Sequence, residues 1–172
     1  MIILKSERDL EAMRPACTVA GAVLADVAAF IQPGMTTKDV DEFALSRMKH
    51  FGAKSAFLGY RKYPCQICIS VNDQVVHGLA GPRTLCFGDI VSLDVGVLYN
   101  GFIGDTARTV AVGGCDVPAQ KLMDVTEKAL HEGIARALPG SRPASSRARR
   151  ITNSIWALVE RISSAAHFAR AS

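Results

Sequence analysis

The Asn100-Gly101 pair is the sequence feature that most constrains how this chain folds. Asn-Gly between two apolar runs is the strongest short-range indication of a two-residue β-hairpin, because both residues readily adopt positive φ. Such a turn also fixes the register of the two strands. The residues predicted to face each other are Tyr99 and Phe102, Gly96 and Asp105, and Asp94 and Ala107. The hairpin therefore makes Asp105 the diagonal neighbour of Asp94.

The two faces of this hairpin differ in character, because successive side chains of a strand point to opposite sides of the sheet. One face is continuously apolar and must pack: Val91, Leu93, Val95 and Val97. The other face is small and polar: Ser92, Asp94, Gly96, Asp105, Ala107 and Thr109. Two ionised carboxylates roughly 5 to 8 Å apart repel each other unless a proton or cation lies between them, and divalent metals prefer such oxygen ligands. The sequence thus predicts a metal site on the polar face.

Solvated carboxylates on an exposed sheet face are the alternative interpretation of Asp94 and Asp105. The Val, Ile and Leu content of both strands favours the metal interpretation, since a solvent-facing strand more often carries Lys, Thr or Glu. Small residues near the acids, Gly96, Gly104 and Ala107, also predict room for a ligand.

The net charge of +4 is concentrated at one end of the chain. Residues 1–140 carry 14 basic and 15 acidic side chains, whereas residues 141–172 carry six arginines and a single acid, Glu160. A basic tail does not indicate a folded nucleic-acid-binding face, so no specific nucleic-acid partner is expected. With 172 residues the chain is long enough for one domain, or one domain and a tail.

Cysteine usage and hydropathy predict a cytoplasmic protein. Five cysteines spread through apolar segments fit a reducing compartment. The Cys65-x-x-Cys68 spacing lacks a second ligand pair for structural zinc and precedes a strand, so both residues are expected to be buried thiols. The longest apolar stretch, residues 16–31, contains polar interruptions and is expected to be a buried or amphipathic helix shorter than a membrane span. The charged start at Lys5 has no signal-peptide core.

The hydrophobic periodicity predicts helices followed by short strands, which indicates an α+β domain. A helix capped by Ser6 should run toward Phe30, with a break or kink at Pro15. The remaining predicted elements are a helix at 38–50, strands at 55–58, 66–71, 90–98 and 103–112, and a helix at 118–137.

The composition shifts to Arg, Ser and Ala after Gly140, which divides the chain into a domain at 1–140 and a divergent tail at 141–172. The tail is expected to be poorly ordered or to hold one short helix at 151–162. A frameshift in a GC-rich reading frame would produce this bias, and a genuine variant ending is the alternative. The coding DNA read in the other two frames after codon 140 decides between them.

Three stretches of the chain resemble the type I methionine aminopeptidases. They are GYRKYPCQICISVNDQVVHGLAG from Gly59, FGDIVSLDVGVLYNGFIGDTART from Phe87, and EGIARALPG from Glu132. The resemblance runs from about Lys5 to Gly140. It implies the N-terminal half of a pita-bread fold, an antiparallel curved sheet with covering helices, with the C-terminal part missing or divergent.

The resemblance also implies the site residues. Asp94 would be a two-oxygen metal ligand, and Asp105 would bridge two metal ions. His77 would be catalytic and contact the substrate near the scissile amide. The pocket for the methionine side chain would be lined by Phe57, Tyr60, Tyr63 and Cys68. Without the resemblance, His77 reads as a turn histidine and the tyrosines as ordinary surface or core aromatics.

The implied activity is removal of the N-terminal methionine from nascent proteins by two-metal-ion peptide hydrolysis. The cofactors would be two divalent ions, with cobalt, manganese, iron and zinc all suitable. The expected partners are N-terminal Met peptides of nascent proteins and also the ribosome, and the chain is expected to be a monomer without a membrane partner.

The family's later ligands, a histidine in a Gly-His-Gly context and two glutamates, find no match in this sequence, nor does its second substrate-contacting histidine. Two carboxylates alone hold a two-ion cluster poorly, so this chain by itself is expected to bind metal weakly and lack peptidase activity. One alternative is a catalytically silent module that binds nascent peptides or the ribosome. Another is a creatinase-like or prolidase-like hydrolase, against which the His77 context and the short N-terminal part favour the aminopeptidase.

Overall fold

The computed structural model describes residues 5–135, which form the predicted α+β arrangement. The elements in chain order are α1 (Glu7–Phe30), α2 (Thr37–His50), β1 (Lys54–Ser55), a short 3-10 turn (Tyr60–Lys62), β2 (Cys68–Val71), β3 (Ile90–Tyr99), β4 (Phe102–Ala111) and α3 (Val117–Ile134). One compact unit extends to Gly114 and another starts at Cys115. The tail at 141–172, with its predicted helix at 151–162, lies outside the described residues.

The predicted hairpin is confirmed in turn and in register. Asn100 has a φ of 49° and Gly101 a φ of 83°, as a type I′ turn requires. The observed pairs include Tyr99 with Phe102, Gly96 with Asp105, and Asp94 with Ala107. Asp105 is therefore the diagonal neighbour of Asp94.

Strand β3 is the centre of an antiparallel sheet. It pairs along its whole length with β4, and at its other edge with β2 and β1. The register with β2 places Cys68 opposite Asp94 and Ser70 opposite Ser92. Strand β1 is shorter than the predicted 55–58, because the Ser55 hydroxyl accepts the N–H groups of Phe57 and Leu58 and the chain turns away from the sheet there.

The apolar face of the hairpin forms the core, with Val91, Leu93, Val95 and Val97 fully buried. Helix α1 packs on β3 and β4, and α2 packs on α1. The helical residues buried in this packing are Ala16, Ala20, Val23, Leu24 and Val27 of α1, and Thr37, Val40, Ala44 and Met48 of α2. Burial of each larger apolar side chain contributes about 1.5 to 3 kcal/mol, so the core determines which hairpin face stays open.

Helix α1 differs from its prediction in two respects. It continues through Pro15, so of the expected break or kink the break is wrong. The proline removes one backbone hydrogen bond, and burial of five α1 side chains offsets that cost. Its 24 residues are also long and apolar enough to cross a membrane, contrary to the expectation of a shorter stretch. Because its buried side chains pack on the sheet, α1 serves here as a core helix.

Helices α1 and α2 both begin at capping boxes. Ser6 and Asp9 exchange hydrogen bonds at the start of α1, as the sequence predicted. Thr36 and Asp39 do the same for α2. The hydroxyl hydrogen bonds lower the pKa of both carboxyl groups, because they favour the ionised form. Helix α3 is capped by the Asp116 side chain, which accepts the N–H of Ala119.

Two of the small residues near the acids do not provide the expected room. Gly104 lies opposite Val97 on the core face, where an added Cβ would overlap the carbonyl group of Ala16 in α1. The alternation of the strand places it away from the acids. Gly96 is on the polar face, but the Phe57 ring fills the space above it.

Candidate active site

Asp94 and Asp105 lie side by side on the polar face of the sheet. Asp94 is half-buried, whereas Asp105 is exposed. Burial raises the pKa of Asp94, and the negative charge and hydrogen bond of Asp105 raise it further, while the charge of His77 lowers it. Two carboxylates held this close repel each other, and a cation between them would relieve that repulsion. The acid pair thus has the electrostatics of a cation site.

Cys68 and Tyr63 adjoin the acid pair. Cys68 is buried directly opposite Asp94, and burial raises the pKa of its thiol. Burial also raises the pKa of Tyr63. Thiol and phenol are therefore both neutral at physiological pH, so they can form the wall of an apolar pocket and do not act as bases.

Phe57 completes the aromatic wall. Its ring meets that of Tyr63 edge to face, with 6.5 Å between centroids, and covers Gly96 in the middle of β3. A side chain at position 96 would displace this ring. The wall thus depends on a glycine in the strand that carries Asp94.

His77 approaches the acid pair from the loop after β2. It has a φ of 55°, a conformation that a non-glycine residue adopts at an energetic cost. The imidazole is exposed and close enough for its positive charge to lower the pKa of Asp94. It is therefore placed to touch a molecule bound at the acids.

Among the residues predicted to line the methionine pocket, Tyr60 is the one that the structure leaves exposed. Its side chain is 64% exposed, and the Arg61 guanidinium lies 5.5 Å from its ring centroid. The other predicted residues are brought together around the acids: Phe57, Tyr63, Cys68, His77, Asp94 and Asp105.

The donor set on the polar face suits one side of a metal centre. Two hard carboxylate oxygens fit a divalent cation. Within residues 5–135, however, His, Cys, Asp and Glu form no group of three or more that could hold a metal ion. The described residues thus fit a divalent ion as partial ligands only.

Asp41 anchors the segment before Cys68, and nothing in the sequence indicated this. Its carboxylate accepts the backbone N–H groups of Gln66 at 2.9 Å and Ile67 at 3.0 Å. Partial burial raises the pKa of Asp41, and the two N–H donors oppose that rise. Helix α2 thereby anchors the segment that leads into Cys68.

Substitution of Asp41 tests how much its two hydrogen bonds contribute to stability. We expect Asp41→Ala to lower the free energy of unfolding by about 2 kcal/mol, because two backbone donors lose their acceptor. Asp41→Asn keeps an oxygen acceptor and should retain most of the stability. Urea unfolding followed by circular dichroism compares the two; equal losses would show that the acceptor is irrelevant and only the charge counts.

The model of metallopeptidase family M24 matches residues 11–168. The chain belongs to this family. It is 42% identical to the methionine aminopeptidase of Aquifex aeolicus (strain VF5) over 148 residues, which are 82% of this chain and 57% of that protein. Its structure is similar to that of methionine aminopeptidase from Thermotoga maritima, with a TM-score of 0.76, 38% identity, and coverage of 80% of this chain and 55% of that one.

These comparisons confirm the predicted fold class, half of a pita-bread fold. A prolidase from Pyrococcus furiosus shares the fold at a TM-score of 0.76, covering 88% of this chain and 44% of that one, but at 24% identity the likeness concerns the fold alone. The chain spans about half the length of the curated relatives it matches. Membership of a metallopeptidase family implies divalent metal ions, while their identity and number stay predictions.

Proposed function

We propose that this chain is the part of a methionine aminopeptidase that supplies two carboxylate ligands, a substrate-contacting histidine and the pocket for the methionine side chain. The proposed reaction is hydrolysis of the first peptide bond of a nascent protein that begins with Met, in the cytoplasm. The observation that carries the proposal is the Asp94 and Asp105 pair, with His77 and Cys68 beside it. The similarity to methionine aminopeptidases supports the choice of substrate.

Asp94 and Asp105 would both serve as ligands for two divalent ions. When bound, the ions would polarise the scissile carbonyl and lower the pKa of a water to give a nucleophile near neutral pH. The carboxylates fix where this chemistry occurs. His77 would contact the substrate near the scissile amide and orient the carbonyl.

The wall of Phe57, Tyr63 and Cys68 would receive the methionine side chain. Sulfur packs favourably at the edges of aromatic rings, and the neutral thiol of Cys68 adds a polarisable neighbour. The exposed ring of Tyr60 would join this wall only by closing over a bound side chain. Substrate choice would then follow from the shape of the pocket and from the limited space beside the acids.

The described donor set leads to a distinct expectation for this polypeptide by itself. Two carboxylates should bind divalent ions only weakly, with a dissociation constant of order 1 mM, and should not sustain turnover. Calorimetric titration with Mn²⁺, together with an assay for methionine release from a Met-initiated peptide, tests this. Weak binding without release is the expected result.

Two other outcomes carry different meanings. Methionine release by the purified chain would show that it already contains a complete centre. Tight binding of the Met-initiated peptide without release would favour a silent peptide-binding module over an enzyme. A peptide that begins with Leu serves as the matched control for the pocket.

A further inference from the structure

Gly78, the residue after His77, is held on the edge of β2 by three hydrogen bonds. Its N–H donates to the Ser70 hydroxyl at 3.0 Å. Its carbonyl accepts the N–H of Ile69 at 3.0 Å and the hydroxyl of Tyr63 at 2.9 Å. Both polar groups of this glycine are therefore bound to β2 or to the aromatic wall.

The fit at Gly78 leaves no room for a side chain. A Cβ there would overlap the backbone of Ile69 and Ser70, and those atoms belong to a strand that pairs with β3. The glycine is buried, whereas the residues just before it are exposed. Gly78 is thus the fixed point from which the His77 loop extends.

His77 needs such a fixed point. Its positive φ is disfavoured for a residue with a side chain and persists only where the surroundings impose it. The peptide that joins His77 to Gly78 carries the N–H that Ser70 accepts. The Ser70 hydroxyl is therefore a hydrogen-bond acceptor for the peptide that follows His77.

We propose that Ser70 is a positioning residue for His77: its hydroxyl holds the 77–78 peptide so that His77 stays in the left-handed conformation beside the acid pair. The inference rests on the proposed function, because the role of His77 at the substrate comes from there. In this role Ser70 acts on His77 through the backbone, by way of the Gly78 N–H.

The chain offers a matched control in Ser92. It faces Ser70 directly across the β2 and β3 pair, on the same polar face. Its hydroxyl bonds to that of Thr109 at 2.8 Å, away from Gly78. Ser92→Ala therefore removes a hydroxyl from the same face without touching the 77–78 peptide.

The test is backbone NMR of the 172-residue chain. In Ser70→Ala we expect the Gly78 amide to exchange with solvent roughly tenfold faster or more, the loss that one hydrogen bond carries. The His77 Cα and Cβ shifts should move from left-handed values toward averaged ones, while Leu93 and Val95 keep their protection. Ser92→Ala should leave Gly78 and His77 unchanged.

A second variant guards against loss of the fold. Ser70→Cys nearly keeps the volume but accepts hydrogen bonds weakly, so the same changes should appear at smaller size. The inference is overturned if Ser70→Ala or Ser70→Cys leaves Gly78 exchange and the His77 shifts as they are. It is equally overturned if Ser92→Ala moves them as much.

Addition of Mn²⁺ separates this inference from the proposed function. Mn²⁺ at Asp94 and Asp105 should broaden the imidazole signals of His77 in the unaltered chain, and less so in Ser70→Ala. Absence of broadening in the unaltered chain would contradict the metal site. The backbone signals of Gly78 and His77 would still decide the role of Ser70.

Discussion

Substitution of Gly104 by alanine should lower the free energy of unfolding by about 3 kcal/mol, the upper range for overpacking a well-filled core. The added methyl group would overlap the carbonyl of Ala16. The Cβ position is fixed by the backbone of β4 and its partner is backbone of α1, so no side-chain rotation relieves the overlap. Helix α1 would have to lift from the sheet that it covers. Urea unfolding followed by far-UV circular dichroism measures the loss.

Gly21→Ala is the matched control, because Gly21 lies in α1, the helix that contains Ala16. A Cβ at Gly21 meets no atom within 4 Å, and alanine is favoured over glycine in a helix interior by up to about 1 kcal/mol. The two substitutions should therefore change stability in opposite directions. Equal stability of Gly104→Ala and the unaltered chain would mean that α1 does not approach β4 at this point.

Local signals in the sequence were sufficient for much of the fold. The Asn100-Gly101 turn gave the register, and the Ser6 and Asp9 pair gave the start of α1, because each depends on residues a few positions apart. The expected break at Pro15 was wrong because it depends on residues far away in the sequence. Whether a proline breaks a helix depends on how much tertiary burial offsets the lost hydrogen bond, and that burial comes from distant strands.

The residues of the site could largely be predicted from the sequence, but the residues that hold them in place could not. The hairpin register brought Asp94 and Asp105 together, and the family resemblance supplied the surrounding residues, though Tyr60 lies exposed. Asp41 and Gly78 could not have been identified in this way. The contacts of Asp41 with Gln66 and Ile67 span 25 and 26 positions. Those of Gly78 with Ser70 and Tyr63 span 8 and 15, and only the folded chain shows them.

Neutralisation of the acid pair should affect metal binding and stability in opposite ways. We expect Asp94→Asn and Asp105→Asn each to weaken Mn²⁺ binding by more than about tenfold, the loss seen when even an indirect neighbour of a metal ligand is removed. Without metal, both variants should be more stable than the unaltered chain. The reason is that the charge of Asp105 opposes ionisation of Asp94, which is itself half-buried, and removal of either charge ends that repulsion.

Thermal unfolding with and without Mn²⁺ makes the reversal measurable. At a free ion concentration ten times the dissociation constant, binding adds about 1.4 kcal/mol to the unaltered chain, and the variants should gain far less. Glu42→Gln on α2 removes one exposed negative charge, whose partner Lys38 is 3.7 Å away, and should keep the full response to Mn²⁺. If the aspartate variants respond as Glu42→Gln does, the ion binds elsewhere. If the aspartate variants instead lose stability without metal, the repulsion between Asp94 and Asp105 does not destabilise the metal-free chain. The explanation of metal binding by relief of that repulsion would then be wrong.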